Sequence, residues 1–181
     1  TIVIGSDDSG VEIVGAGEAL TNLVYTATNQ GIQILDAPGV ILRELAVDAE
    51  VAAKGISLEG TSTGVTLDSV TVDTFNVGIS VEATATGTVV NGSTVQRAGR
   101  GIESFTAELT LSGNTVGFAG GISGNRYAGI LVDDPAGSGL MVTGNSVSGY
   151  NPPGGVFEHE PFGYLLRAAE FSVTGNFSTD N

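Results

Sequence analysis

Glycine opens a short apolar strand at Gly10, Gly31, Gly55, Gly78, Gly101, Gly129 and Gly163, and no other feature limits the fold as tightly. The strands behind these glycines read Val11-Glu12-Ile13, Ile32-Gln33-Ile34, Ile56-Ser57-Leu58, Ile79-Ser80-Val81, Ile102-Glu103-Ser104, Ile130-Leu131-Val132 and Tyr164-Leu165-Leu166. Subtraction of successive positions gives intervals of 21, 24, 23, 23, 28 and 34 residues. Self-similarity at such a period marks a solenoid, in which one unit cannot bury its apolar face alone and must stack on its neighbours. One coil per repeat is the expectation.

A second strand recurs inside each unit, with apolar residues at the first, third, sixth and eighth positions. Val65, Leu67, Val70 and Val72 show it in full, as do Val40, Leu42, Leu45 and Val47; Leu109, Leu111 and Val116, and Leu140, Val142 and Val147, keep three of the four. Period-two alternation broken by a one-residue shift reads as strand, tight corner, strand. At the corner stand Asn114, Asn145 and Asn176, with Ser93 and Val70 in the same column, preceded by Gly92, Gly113, Gly144 and Gly175. Glycine reaches backbone conformations that a sharp bend needs, and stacked coils would bring the asparagines into an amide ladder.

Glycine, isoleucine, a variable residue and an aliphatic one, followed about ten residues on by an alternating strand ending in Gly-Asn-Ser/Thr-Val, resembles the repeats of right-handed parallel β-helix proteins. The resemblance runs from Gly10 to about Ser178 and implies an all-β, single-stranded right-handed parallel β-helix of about seven coils. Residues 1–181 are read as one domain, since no linker or composition shift divides them. Only Glu50 to Lys54 and Glu158 to Glu170 lack strand signals, and either could hold a single helical turn.

The architecture is shared by polysaccharide lyases, epimerases, adhesins and viral tailspikes, so the resemblance speaks for fold far more than for function. The motifs of its polysaccharide-active branches are missing. Asp134-Pro135-Ala136-Gly137 keeps two letters of the epimerase Asp-Pro-His-Asp/Glu, and the polygalacturonase Asn-Thr-Asp and Gly-His-Gly do not occur.

Twenty acidic residues against 6 basic ones give a net charge of −14. That field repels phosphate backbones, so nucleic acid is not an expected partner. No cysteine is present, which removes disulfides and thiolate metal sites. No run of about 18 apolar residues occurs, so membrane insertion is not expected either.

The last two full intervals exceed the usual 23 residues, and both excesses follow the Gly-Asn-Ser/Thr-Val strand. They should leave adjacent coils at the same corner, and insertions of this kind collect on one face of a solenoid, often the binding face. Asn125, Arg126, Tyr127, Tyr150, Asn151 and Phe157 are the ligand-binding candidates there, with Phe162 at the base of the second loop. Rings offer flat platforms and amides or cations directional bonds, the mixture that small-molecule and glycan sites use. The other reading has Tyr127, Phe157 and Phe162 fold back over the strand beneath.

No catalytic group is assigned. Were the chain an enzyme, Arg126, His159, Glu158 and Glu160 would be its candidates, the histidine flanked by two carboxylates that suit it to general-base work. Asp133 and Asp134 are the weak metal candidates, with Ca²⁺ the cation they would suit; no other cofactor is expected.

Thr1 to Ile4 and Phe171 to Phe177 read as end strands, and open strand edges invite pairing. A homo-oligomer is therefore expected, with a trimer favoured. The reading that follows is a non-enzymatic exterior structural or adhesion protein, such as a virion spike, fibre or decoration subunit, acting through assembly and glycan contact at an extracellular or virion surface. The alternative is a polysaccharide lyase, hydrolase or epimerase.

Overall fold

Parallel pairing carries the whole architecture. The computed structural model describes residues 1–25, 30–117, 128–150 and 162–179, and every strand pairing within them is parallel, in one continuous 17-stranded sheet. Among the described residues the regular structure is strand apart from one short 3₁₀ turn at Ser6–Asp8.

The sheet winds as three walls. On the first, Ile2 pairs with Ile32, Ile32 with Ile56, Ile56 with Ile79, Ile79 with Ile102, Ile102 with Ile130 and Ile130 with Tyr164. On the second, Ile13, Leu42, Leu67, Val90, Leu111, Val142 and Val173 follow one another. On the third, Leu23, Val47, Val72, Val95, Val116, Val147 and Ser178 do the same. Each column joins residues of successive coils, about 4.8 Å apart.

The interior is the sum of these columns. Ile34, Leu58, Val81 and Val132 of the first wall are fully buried, as are Leu67 and Val90 of the second and Val72 and Val95 of the third. Stability in such a stack is largely additive over neighbour interfaces. The last coil has its inner face only partly covered: Phe171 and Val173, in register with the buried Leu140 and Val142, are 57% and 41% exposed.

Two kinds of glycine serve the winding. A Cβ on Gly78, Gly101 or Gly129 would lie 2.3, 2.1 or 2.1 Å from Cγ1 of Val95, Val116 or Val147, so these three are required for space. Gly92, Gly113, Gly144 and Gly175 have φ of 55°, 63°, 65° and 63° and supply the left-handed corner expected of them. Ser69 and Glu44 hold the same conformation one and two coils earlier.

After the corner comes the amide ladder. Asn114 Nδ2 donates to Asn145 Oδ1 at 2.8 Å, and Asn145 Nδ2 to Asn176 Oδ1 at 2.9 Å. The backbone N–H groups of Ser93, Asn114 and Asn145 donate to the next side-chain oxygen at 2.9, 3.0 and 2.9 Å. Ser93 Oγ closes the series by accepting from Val70 N at 3.1 Å.

Two expectations change. Gly10 does not belong to the column of Gly31 and Gly55: its strand, Glu12–Val14, pairs with Ile41 to Arg43 on the second wall, and Gly10 N donates to Pro38 O at 2.8 Å. The first-wall strand of that coil is Ile2–Ile4. Glu50 to Lys54, where the sequence leaves a helical turn open, is part of the strand Ile41–Glu59, and within Glu158 to Glu170 the described residues include the strand Phe162–Ala168. Pairing with the coil on either side outweighs weak local preference.

Candidate functional site

The two long segments expected to carry the site leave and rejoin the coil at stacked positions. Gly117 pairs with Ser148 before them, and Ala128 with Phe162 after them. Both therefore start at one corner and end at the edge of the first wall. Asn125, Arg126, Tyr127, Asn151, Phe157, Glu158, His159 and Glu160 lie outside the described residues.

Tyr150 is placed, and it is a core residue. It is fully buried, and its hydroxyl donates to Ala98 O at 3.2 Å. The ring occupies space left by two glycines: a Cβ on Gly101 would lie 3.0 Å from its hydroxyl, and one on Gly129 would lie 3.3 Å from Cε2. Burial pushes the phenol well above its usual value. Tyr150 seals the corner and presents no face to a ligand.

Asp133 and Asp134 have structural partners. Asp134 accepts from Gly137 N and Ala107 N, both at 3.0 Å, which ties a turn to the coil below. Asp133 pairs with Arg167 at 3.2 Å. Among the described residues no group of three or more histidine, cysteine or acidic side chains could hold a metal ion.

The outer face of the first wall gathers a set that the sequence reading passed over. The variable residue of each Gly-Ile-X-aliphatic repeat lines up as Gln33, Ser57, Ser80, Glu103, Leu131 and Leu165. Ser57, Ser80 and Glu103 are 0%, 1% and 4% exposed although they point away from the apolar interior. Beside them, Gln30 and Gln33 both donate to Glu59, at 2.9 and 2.7 Å, and Ser57 Oγ donates to Gln30 Oε1 at 2.9 Å. Lys54 bridges Glu59 and Glu82 at 3.6 and 3.0 Å, and Arg100 pairs with Glu103. Among the described residues Ser80 Oγ has no hydrogen-bond partner, and it is buried. A buried hydroxyl without a partner costs free energy.

Toward the C-terminal coils the same wall turns apolar. Leu131 and Leu165 continue the central column, half-buried, while Phe105, one residue past Ser104, and Phe162, paired with Ala128, are 39% and 40% exposed. The wall thus joins a hydrogen-bonding half to an aromatic half, and the long segments meet it at Ala128 and Phe162.

Its charge is set by pairing. Each cation among the described residues has a carboxylate partner: Arg43 with Glu12, Lys54 with Glu59 and Glu82, Arg97 with Asp73, Arg100 with Glu103, Arg167 with Asp133. Burial alone would raise Glu59, but hydrogen bonds from Gln33 and Gln30 and the Lys54 charge outweigh it and hold the carboxyl below its ordinary value of 4.5. A group depressed on folding stabilises the protein above its unfolded value and loses that contribution as pH falls through the folded one. Replacing Glu59 with glutamine is therefore expected to flatten the acid limb of the stability curve below pH 4.5. Urea midpoints of both proteins across that limb check this, and parallel limbs would refute it.

No curated protein and no solved structure matches the chain. A family model does, over residues 1–160, and its description is periplasmic copper-binding protein (NosD), a family of right-handed parallel β-helices. With that span matched and the stacked parallel coils in place, the chain belongs to the NosD family.

Proposed function

We propose that the chain is a non-enzymatic β-helical binding protein working outside the cytoplasm, as the periplasmic description of its family suggests, and that the outer face of the first wall holds a polyhydroxylated ligand such as a glycan. The observation that carries this reading is the pair of exposed rings, Phe105 and Phe162, on the same wall as the hydrogen-bonding set Gln30, Gln33 and Glu59. Ligand hydroxyls both donate and accept, which suits carboxylates and hydroxyls together, and exposed Phe105 and Phe162 offer apolar platforms to sugar rings. Rungs about 4.8 Å apart favour an extended ligand lying across several coils.

The ion pairing bears on ligand charge. With Lys54 and Arg100 already matched to carboxylates, this wall favours a neutral or amino-bearing polymer over a polyuronate. Lyase chemistry would need a cation opposite a uronate, so the pairing also weighs against the enzymatic alternative.

Retention on immobilised neutral, amino-sugar and polyuronate polysaccharides tests the proposal. The wild type should be retained on one of the first two, and the double substitution Phe105→Ala, Phe162→Ala should weaken retention about tenfold, the effect of losing roughly 1.4 kcal/mol of contact. Gln33→Ala, which removes a polar group of the same wall, should weaken it as well. Equal retention of wild type and variants would remove the wall from consideration. No retention on any polymer, together with a stable trimer in light scattering, would replace binding by the assembly role. Release of reducing ends or unsaturated products would establish the enzyme instead.

A further inference from the structure

Copper favours thiolate, thioether and imidazole donors, and protein copper sites combine several of them. This chain has no cysteine, one methionine and one histidine. A single chain can therefore bring at most one imidazole and one thioether to a metal, whatever its conformation.

The architecture limits the remaining options. In a stacked coil, side chains meet when they share a column or occupy adjacent ones, so a multidentate site would appear as donors repeated from rung to rung. Met141 stands on the second wall, paired with Thr110 below and Ser172 above, neither of which is a soft donor. The polar corner column is filled by Asn114, Asn145 and Asn176, whose amides are committed to one another. The carboxylates of Glu59, Glu82, Glu103, Asp73 and Asp133 face cations. No set of three or more histidine or acidic side chains comes together among the described residues.

We infer that this chain is a copper-independent member of its family, retaining the β-helix without the donor set that the family description names. The polyhydroxylated-ligand reading neither requires this nor depends on it, because it uses neither the histidine nor the methionine.

The test uses the purified chain and copper alone. After dialysis against Cu(II), and separately against Cu(I) kept reduced with ascorbate, the protein is passed through a desalting column containing a competing chelator and its metal content measured. Fewer than about 0.1 copper per chain should remain, the melting temperature should not move, and His159→Ala with Met141→Leu should behave as wild type. Weak uptake onto the acidic surface that the chelator strips completely supports the inference. Copper surviving the chelator at one per chain, or at one per two or three chains in an oligomer, overturns it. So does a melting temperature raised by copper in the wild type and not in the double variant. Glycan retention measured on the same metal-free protein keeps failure of this inference separate from failure of the binding proposal.

Discussion

Asn145→Ala is expected to lower the melting temperature by roughly 10 °C, the shift that about 4 kcal/mol produces in a domain of this size. Asn145 Oδ1 accepts from both Asn114 N and Asn114 Nδ2, while its own Nδ2 donates to Leu111 O and to Asn176 Oδ1. Asn145 is 1% exposed. Truncation leaves buried donors and an acceptor with no partner, at about 1–3 kcal/mol each, which exceeds the loss of the bonds themselves. Asn145→Asp separates the two: it restores the acceptors but not the donor, and should fall between wild type and alanine near neutral pH. Thermal unfolding followed by circular dichroism reads all three. A melting temperature for Asn145→Ala within 2 °C of wild type, far inside the expected shift, would mean that the ladder contributes little.

Gly101→Ala should be nearly as damaging, for a reason unrelated to hydrogen bonding. The added methyl would sit 2.1 Å from Val116 Cγ1 and 2.4 Å from Gly129 O. The second of these is backbone in the next coil, so relief requires two rungs to separate where they pair. Overpacking of this kind costs about 1–3 kcal/mol, and a main-chain obstacle places it at the upper end. Gly113→Ala makes the control: its φ is 63° and its nearest neighbour, Gly92 N, is 4.0 Å away, so only the left-handed penalty of about 1 kcal/mol applies. Denaturant midpoints should rank wild type, Gly113→Ala, Gly101→Ala in falling order, and a reversal of the two variants would refute the spatial argument.

That contrast also shows how far the sequence could be read. Gly10-Val11-Glu12-Ile13 has the same letters in the same order as a first-wall repeat, yet Gly10 has φ of 73° and turns the chain onto the second wall. Gly78, Gly101 and Gly129 are needed because a neighbour lies too close, so a shared letter hides two distinct causes. The Asn corner was legible because one physical demand, a left-handed bend followed by an inward amide, recurs with the same residues. The outer wall was not. Its central column is the variable position of the repeat, and Gln33, Ser57, Ser80 and Glu103 acquire meaning only when the coils are superimposed. Reading that position down the repeats would have found them. Tyr150 is assigned to the loop by its position in the chain, whereas its environment is set by Gly129 in its own coil and Gly101 in the coil before.

The parallel register has an evolutionary corollary. Since a rung meets only the rungs above and below it, and offers each nearly the same pattern of side chains, a whole coil can be copied or deleted without redrawing the remainder. Length then becomes an inheritable variable of such a molecule, adjusted in steps of one coil, and the span of its outer wall changes with it.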